Sequence, residues 1–396
     1  MKKDWEYKKL GEVCCGVKNI RWKDFPNQTF QYIDLTAVDR ESLRIFGSFH
    51  VNEKNAPSRA KQIVYEGDVI FATTRPTLRR FAIIPYSHNE SLCSTGYCVL
   101  RPNEELISKW LFYNFYIDNF YNYIEPLQTG ASYPAITDSC VKNYVIPVPP
   151  LSEQKEIIEY LDSSFAKIDK LKANAAKNLE EAKALFQSAL KDALEPKEGW
   201  EEKKLQDICQ IKGGKRLPKG YVLSSEPMSH RYITVADFTK NGTVVPSTVK
   251  YISDEVYKTI QRYTITSDDV YVTIVGSTVG KAGIIPPELD GANLTENACK
   301  LVLNKYYDKR FVYYLMCSEY VIRQEQLLTK VSAQPKLALT RLASIFVYMP
   351  SLQEQQSIVS LLDSLSEKLN TLQQNYSRIC DECDALKQAI LRQVFE

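Results

Sequence analysis

Few residues of the chain stand in patterns that perform chemistry. The three histidines, His50, His88 and His230, form neither a His-Glu-x-x-His nor a His-x-His pattern. Cys380 and Cys383 form a Cys-x-x-Cys pair, but the second pair or the two histidines that would complete a tetrahedral zinc site are missing nearby. We therefore interpret the histidines as surface or loop residues, and we expect no metal site.

Two further motifs fail as catalytic or cofactor sites. Gly276–Lys281 resembles a phosphate-binding loop, but three residues separate its glycines where four are needed, and Ala282 follows the lysine where Ser or Thr is required. Pro147–Pro150 lacks the Asn or Asp with which a DNA methyltransferase receives a flipped base, and no Gly-rich cofactor loop accompanies it. The sequence therefore predicts a binding protein and not an enzyme.

Several polar loops have a composition that suits nucleic-acid binding. Thr73–Arg80 combines three arginines with hydroxyl residues. An arginine can form two hydrogen bonds with a guanine edge, and Ser or Thr contacts bases and phosphates. The segments 95–97, 128–133 and 212–219 are similar loops. An ordinary solvated loop explains any single one of these residues equally well, so composition alone leaves both interpretations open.

The composition is that of a soluble globular protein. Hydrophobic residues make up 44% of the 396 residues and charged residues 25%, and the net charge is only +2. A protein that binds DNA phosphates unaided usually carries a large basic excess, so this charge indicates either that the basic residues are local or that partner subunits supply much of the phosphate binding. Neither an apolar run of about 18 residues nor an apolar segment behind Lys2 and Lys3 occurs, so we expect no membrane span, no signal peptide and a cytoplasmic location.

The chain contains an internal duplication. Gly67–Val69 aligns with Asp268–Val270, and Pro149–Gln154 aligns with Pro350–Gln355, at one offset of 201 residues, the difference between positions 68 and 269. Nearer the start of each half the offset drifts, as changes in loop length would cause. This period is longer than the roughly 20–50 residues of solenoid repeats and indicates two related domains.

Each half shows the same order of elements. Short apolar runs rich in β-branched and aromatic residues, such as Gln62–Tyr65, Asp68–Ala72 and Asp269–Ile274, indicate strands. The aspartates that open the last two runs are interpreted as turn residues. An aromatic-rich helix is predicted around Lys109–Tyr123 and again around Lys309–Gln326.

A long helix ends each half. In the second, hydrophobic or half-hydrophobic residues recur at alternating steps of four and three from Ile358 through Cys383 to Ile390, which is the heptad seam of a coiled coil. In the first, the seam from Leu161 to Ala193 is less regular and richer in alanine, so the larger side chains of one seam could fill against the smaller ones of the other. Pairing of the two helices within the chain is predicted, with a homodimer seam or two solvated helices as alternatives.

The segment Pro149–Asp162 resembles the characteristic segment of the specificity subunits of Type I restriction–modification systems. In that family a string containing Pro-Leu, Glu-Gln, Ile and Leu-Asp opens each of two helices, and Pro350–Asp363 carries a second copy. The Trp opening of each half, at Trp5 and Trp200, is also typical of the family. So is the Gly-Asp-Val strand, although Asp268 replaces its glycine in the second copy. The resemblance covers essentially the whole chain.

This resemblance implies a non-catalytic DNA-recognition subunit. Each of two variable domains would read one half of a split, asymmetric DNA sequence, and the two helices would pair antiparallel and set the unread spacer. The helical regions would dock two methyltransferase (modification) subunits, and the full complex would add restriction subunits. S-adenosylmethionine, ATP and Mg²⁺ would belong to those partners, and none is expected on this chain.

The expected fold class is α+β. Two tandem mixed α/β target-recognition domains are separated by and followed by long helices, which form an intramolecular antiparallel coiled coil. The predicted bounds are 1–148 and 196–349 for the recognition domains, and 149–195 and 350–396 for the helices.

The family resemblance implies that the polar loops form the surface that contacts DNA. The candidate residues are Arg75, Thr77, Arg79, Arg80, Thr95, Tyr97, Gln128, Ser132, Tyr133, Lys215, Arg216, Ser277, Thr278, Lys281, Asn297, Gln334 and Lys336. The candidate coiled-coil and partner-contact residues are Glu153, Gln154, Ile158, Leu161, Phe165, Ile168, Glu354, Gln355, Ile358, Leu362, Leu365, Leu369 and Leu372.

Two other functions compete with this one. A stand-alone, repressor-like DNA-binding protein would need affinity without partners, which a net charge of +2 disfavours. A structural adaptor would use the heptads as its function and its globular domains to bind protein. A salt-dependent shift of DNA only when the methyltransferase subunits are present would separate the three functions.

Overall fold

The computed structural model describes residues 5–330 and 335–395. The chain forms two compact units, one of residues 1–176 and 376–396 and the other of residues 177–375. Each unit holds one recognition domain, the start of the long helix that follows that domain, and the end of the other long helix. In the described part of the chain, no helix is long and apolar enough to cross a membrane.

The described residues of the first unit form three sheets. Its strands are β1 (Glu6–Lys9), β2 (Cys14–Cys15), β3 (Phe30–Ile33), β4 (Phe49–Val51), β5 (Ala60–Val64), β6 (Val69–Ala72), β7 (Phe81–Ile83), β8 (Ser91–Ser94), β9 (Tyr97–Pro102) and β10 (Val145–Val148). One antiparallel sheet has the order β2-β9-β6-β7. A second has the order β4-β3-β8-β5 with β3 and β8 parallel, and β1 pairs with β10.

The second unit repeats this topology. Its strands are β11 (Glu201–Lys204), β12 (Cys209–Gly213), β13 (His230–Ile233), β14 (Lys250–Ile252), β15 (Thr264–Ile265), β16 (Val270–Thr273), β17 (Ala282–Gly283), β18 (Ala292–Leu294), β19 (Ala298–Leu303) and β20 (Phe346–Met349). The sheet orders are β12-β19-β16-β17, β14-β13-β18-β15 and β11-β20, again with one parallel pair, β13 and β18. The predicted duplication is therefore confirmed in the fold.

The predicted aromatic helix is two helices in each unit. The α-helices of the described residues are α1 (Ser108–Asn114), α2 (Asp118–Ile124), α3 (Asp138–Lys142), α4 (Leu151–Leu194), α5 (Leu205–Ile208), α6 (Asp254–Ile260), α7 (Lys309–Met316), α8 (Glu319–Leu328), α9 (Leu339–Ala343) and α10 (Leu352–Phe395). The prediction of one continuous helix is wrong because the chain becomes extended at Ile117 and at Ser318. The Ser318 hydroxyl accepts a hydrogen bond from the Val321 N–H and so begins a new helix.

Strand β6 explains why the apolar runs lack polar alternation. Successive side chains of a strand point to opposite faces of its sheet. Val69 and Phe71 pack with the aromatic residues of α1 and α2, whereas Ile70 and Ala72 pack against the other four-stranded sheet. The sheet is therefore buried on both faces, as a continuous apolar run indicates.

The aspartate before each central strand accepts a hydrogen bond within a turn and forms an ion pair with a basic side chain of the neighbouring strand. Asp68 accepts a hydrogen bond from the Tyr65 N–H (2.9 Å) and pairs with Arg101 of β9 (2.8 Å), although only 2% of Asp68 is exposed. The second unit repeats this arrangement, where Asp269 pairs with Lys300 of β19 (2.8 Å). The turn interpretation is confirmed, and each carboxylate is already paired with a basic side chain.

The two long helices contact each other in the first unit. Asp169 of α4 pairs with Lys387 of α10 at 2.6 Å, and Lys172 pairs with Asp384 at 2.8 Å. Because residue numbers rise along α4 as they fall along α10, the helices are antiparallel. In the second unit, the last apolar residues of α4 share a core cluster with the first of α10: Leu190, Ala193, Leu194, Ile358 and Leu362. The predicted intramolecular antiparallel pairing is therefore confirmed.

The predicted seam residues differ in how deeply their side chains are buried. Those near the recognition domains are buried: Ile158, Leu161, Phe165, Ile168, Ile358 and Leu362. Leu365 and Leu369 are half-buried, and Leu372 is exposed although the heptad pattern predicts it at the seam. Burial along the seam of the first long helix is uneven too: Leu179 is 8% exposed, whereas Leu171 is 56% exposed.

Candidate nucleic-acid interface

Three predicted loops of the first domain lie together. The Thr73 N–H donates to the Gly96 carbonyl (2.9 Å), and the Arg75 N–H donates to the Pro134 carbonyl (2.7 Å). The Ile136 N–H donates a hydrogen bond to the Thr73 carbonyl (2.9 Å). The segments 73–80, 95–97 and 128–133, which are distant in sequence, therefore form one surface at the edge of the sheet.

The second domain joins the equivalent segments. The Ile274 N–H donates to the Asn297 carbonyl (2.8 Å), the Gly276 N–H donates to the Pro335 carbonyl (3.0 Å), and the Leu337 N–H donates to the Ile274 carbonyl (2.9 Å). The Arg75–Pro134 and Gly276–Pro335 bonds stand 201 positions apart in the chain. The same framework therefore presents both sets of loops.

The basic segment 212–219 joins this surface through a close approach. The Lys215 N–H donates to the Leu294 carbonyl at 2.8 Å. A Cβ atom on Gly214 would lie 2.0 Å from the Thr295 carbonyl oxygen, so only glycine fits there. This contact brings Lys215 and Arg216 beside the loop that carries Asn297.

In the first domain, some candidates point into solvent and others are held by the protein. Thr77, Thr95 and Ser132 are exposed. Arg75 is also exposed, and its guanidinium lies 4.5 Å from the centre of the exposed Tyr133 ring. This cation–π contact orders two long side chains at the surface.

Arg79, Arg80 and Gln128 make internal contacts instead. The Arg79 guanidinium lies over the Tyr121 ring (4.1 Å) and pairs with Asp118 (2.6 Å). Arg80 donates to the Leu35 carbonyl (2.9 Å). The half-buried Gln128 amide donates within its own turn, to the Glu125 carbonyl at 3.2 Å. Arg79 and Arg80 therefore shape the loop that presents Arg75.

Tyr97 does not reach the surface. Its side chain is 0% exposed, and burial raises the pKa of its hydroxyl. Tyr97 is the first residue of β9 and packs between the two four-stranded sheets. The prediction that Tyr97 contacts DNA is wrong for this conformation, because the strand begins one residue earlier than a loop at 95–97 would require.

In the second domain, Lys215, Ser277, Thr278 and Lys336 are exposed. Arg216 is also exposed, and it pairs with Glu296 at 2.6 Å. Lys281 is half-buried and donates to the Phe238 carbonyl; burial, with Lys240 nearby, lowers the pKa of its ammonium group. Asn297 is half-buried. Gln334 lies outside the described residues.

Sequence reasoning missed two arginines at this surface. Arg59 is exposed, and its carbonyl accepts the Thr95 N–H at 3.0 Å, so it borders the first set of loops. The exposed Arg262 lines a small cavity of about 270 Å³ with Lys212 and Lys300. The pairing of β5 with β8 and of β15 with β18 brings these arginines into place, and no local pattern reveals that pairing.

The glutamine of the repeated motif fastens each long helix to its domain. Gln154 is fully buried; its amide donates to the Glu105 and Pro149 carbonyls (both 2.8 Å) and accepts the Ile107 N–H (3.0 Å). Gln355 repeats this role, donating to the Pro350 carbonyl and accepting the Asp308 N–H. The neighbouring Glu354 accepts the Trp200 indole N–H (3.1 Å), and Glu153 is half-buried.

The aspartate that ends the motif makes a second fastening. Asp162 accepts hydrogen bonds from the Tyr113 hydroxyl and the Lys109 ammonium, each at 2.6 Å. The second unit repeats this with Asp363, Tyr314 and Arg310. Burial, reinforced by the Asp162 carboxylate, raises the pKa of the Tyr113 hydroxyl. The motif is therefore a structural joint between a recognition domain and its helix.

The described residues contain no group of three or more His, Cys, Asp or Glu side chains placed to hold a metal ion. Cys380 and Cys383 lie on α10, where Cys383 is buried among the helix contacts of the first unit.

Comparison with known proteins agrees with this geometry. The family model of the Type I restriction modification DNA specificity domain matches residues 2–181 and 197–379. The chain is 24% identical over 331 residues to the Type I restriction enzyme EcoBI specificity subunit of Escherichia coli, covering 77% of this chain and 69% of that protein. It is 22% identical over 403 residues to the MjaIX specificity subunit of Methanocaldococcus jannaschii, covering 93% and 88% of the two chains.

Solved structures give the same result. A chain from a study of complex assembly and conformational transition of the type I R-M system is 26% identical with a TM-score of 0.86, covering 100% of this chain and 98% of that one. The HsdS subunit from Thermoanaerobacter tengcongensis is 25% identical with a TM-score of 0.62, covering 100% and 97%. With two matched specificity domains and a repeated joint to two long helices, the chain belongs to the family of Type I restriction–modification specificity subunits, which are non-catalytic DNA-recognition subunits.

Proposed function

We propose that this subunit reads a bipartite, asymmetric DNA sequence, one half with each recognition domain, and directs methyltransferase and restriction subunits to it. The observation that carries the proposal is the repeated loop framework with different side chains. Arg75, at one framework position, is replaced by Gly276 in the second domain. Two domains with one scaffold and unlike loops suit two unlike half-sites.

The catalytic chemistry belongs to the partners in this proposal. S-adenosylmethionine, ATP and Mg²⁺ would bind to the methyltransferase and restriction subunits, and the complex would act on DNA in the cytoplasm. The paired helices would set the spacer between the half-sites. The net charge of +2 supports a contribution of the partners to DNA binding, because a protein that binds phosphates unaided usually carries a large basic excess.

Repeated exposed apolar residues support two equivalent docking surfaces. Large apolar side chains are exposed at equivalent positions of the two halves, 201 residues apart: Val145 and Phe346, Leu151 and Leu352, Tyr160 and Leu361. They lie on β10 and α4 in the first unit and on β20 and α10 in the second. Exposed apolar residues at equivalent positions of the two halves favour two binding sites for the same kind of partner.

A charged residue introduced into either docking surface should remove one bound methyltransferase subunit. Tyr160 is 51% exposed and Leu361 is 53% exposed, so a glutamate at either position is tolerated by the fold but opposes burial in an interface. We expect Tyr160→Glu or Leu361→Glu to leave one methyltransferase subunit bound, and the double variant none, by mass photometry. Gln187→Glu, on an exposed part of α4, is the control. Two subunits bound to the double variant would contradict this assignment.

Loss of Arg75 should weaken recognition of one half-site. A well-placed arginine–base pair contributes about 1–3 kcal/mol, so Arg75→Ala should weaken binding of the target DNA roughly 5- to 150-fold. Fluorescence anisotropy of the complex with methyltransferase, at one salt concentration, measures this loss. Lys54→Ala removes an exposed charge from the same unit and should change affinity far less. Equal losses for both variants would show that Arg75 supplies only general charge.

A gel-shift titration tests the proposed function against its rivals. The chain alone and the chain with its methyltransferase are each mixed with genomic DNA fragments across a salt series. Salt-dependent binding only in the presence of the methyltransferase supports the proposal. Tight binding by the chain alone would favour a stand-alone DNA-binding protein, and a stable complex without DNA binding would favour an adaptor.

A further inference from the structure

The two recognition domains differ in how they fill one equivalent space. In the first domain the Arg79 side chain lies over Tyr121 and pairs with Asp118. The residues 201 positions later are Gly280, Ile322 and Glu319. Gly280 has no side chain to fill the space, and Glu319 pairs instead with Arg323, on its own helix.

The second domain contains a cavity at this place. It has a volume of about 670 Å³, and Gly280, Tyr313, Met316, Ile322 and Glu325 contribute to its wall. The exposed Thr278 also lines it, so the cavity reaches the surface beside the recognition loop. Most of the wall surface is apolar, and its polar groups include those of Glu325, Gln326, Lys240, Lys281 and three threonines.

Glu325 is a buried carboxyl group at a position where the first domain has Ile124. Its side chain is 2% exposed, and its Oε1 atom has no hydrogen-bond partner among the described residues. A buried polar atom without a partner is costly, so it either marks a ligand position or is kept neutral. Burial raises the pKa of Glu325 to about 8.

The glycine and the glutamate depend on each other. A Cβ atom on Gly280 would lie 2.4 Å from Glu325 Oε2, and Gly280 has a φ of +88°. A side chain like that of Arg79 would therefore displace the carboxyl group. The second domain thus combines an open cavity with a free acceptor, where the first domain has an arginine held in place.

The charged and titratable groups around Glu325 leave it without an internal cation. Lys240 and Lys281 both line the cavity, but neither forms an ion pair with Glu325 among the described residues: the Lys281 ammonium donates to the Phe238 carbonyl, and the Lys240 side chain is exposed. Tyr313 and Cys317 of α7 also line the cavity, and Cys299 of β19 lies within electrostatic range of Glu325. Burial raises the pKa of all three, so they are uncharged at neutral pH.

We propose that this cavity of the second domain binds a guanidinium or amidinium group whose paired N–H donors face the Glu325 carboxylate. A carboxylate accepts two parallel hydrogen bonds from such a planar cation. A guanidinium is also more weakly hydrated than an ammonium ion, and Tyr313 in the wall offers an aromatic face. The cation would come from an arginine side chain of a partner subunit or from a free small molecule. This inference does not depend on DNA recognition.

Isothermal titration of the full chain with benzamidine, and separately with agmatine, tests the proposal. We expect one saturable site. Because binding requires the ionised carboxyl group, the association constant should rise about tenfold per pH unit below pH 8 and level off above it. The heat should also depend on the buffer, since a proton leaves Glu325. The uncharged analogue benzamide should not bind.

Variants separate the site from general charge effects. Glu325→Gln should weaken benzamidine binding roughly 10- to 100-fold and abolish its pH dependence. Ile322→Tyr restores the first-domain residue, leaves the carboxyl group in place and should also block binding. Glu319→Gln, on the exposed face of the same helix, is the control and should bind as the unchanged protein does.

Repeating the titration on the complex with methyltransferase distinguishes the two sources. Loss of benzamidine binding in the complex would assign the site to a partner's arginine, and unchanged binding would assign it to a free ligand. Absence of binding at millimolar benzamidine, or equal binding to Glu325→Gln and the unchanged protein, would overturn the proposal.

Discussion

Exchanging residues 1–148 for the corresponding domain of another specificity subunit should change one half of the methylated DNA sequence and leave the other half unchanged. The strands of the first recognition domain pair with one another, an apolar cluster of its own lies between its two four-stranded sheets, and its loops are joined to each other within that unit. Methylation at the original sequence should disappear completely, because half of the recognition contacts are replaced. Methylation-aware sequencing of host DNA measures this directly.

The reciprocal exchange provides the control. Replacing residues 196–349 should change the opposite half, and neither exchange should change the spacer, because α4 and α10 are kept. A single exchange that altered both halves would show that the two domains do not read independently.

Asp269→Ala should strongly lower the free energy of unfolding of the protein. Asp269 is 4% exposed, pairs with Lys300 at 2.8 Å and accepts the Thr266 N–H. Removing one member of a buried ion pair leaves the other without a partner and costs about 3–5 kcal/mol. Urea unfolding followed by circular dichroism measures the loss in the free energy of unfolding.

The adjacent residue is a matched control. Asp268 is 88% exposed and pairs with Lys309 at the surface, so Asp268→Ala should leave the unfolding midpoint nearly unchanged. If Asp269→Ala does not fold, Asp269→Asn tests the same pair with the turn geometry kept. Equal effects at positions 268 and 269 would contradict the role given to the buried pair.

The framework could be predicted from sequence where a pattern has one physical solution. The run at 69–72 has no polar alternation because both faces of β6 are buried, and the alternating four- and three-residue steps of α10 need a facing helix. The repeated Glu-Gln motif marked the joints, although only the structure shows that Gln154 bonds to three backbone groups.

The surface could be predicted less well, because contacts that decide it are distant in sequence. Tyr97 resembles a loop residue but begins β9 inside the core. Arg79 resembles a free basic residue but is held by Asp118 on α2. Arg59 reaches the loops through strand pairing, which no local pattern encodes. Composition therefore located the loops but not which of their side chains face solvent.

Bipartite recognition is tested by co-expression of this chain with its methyltransferase, followed by methylation-aware sequencing of the host DNA. We expect methylated bases confined to one sequence of two unlike halves with a fixed spacer. Methylation at a single continuous sequence, or none despite a stable complex of the two proteins, would contradict bipartite recognition.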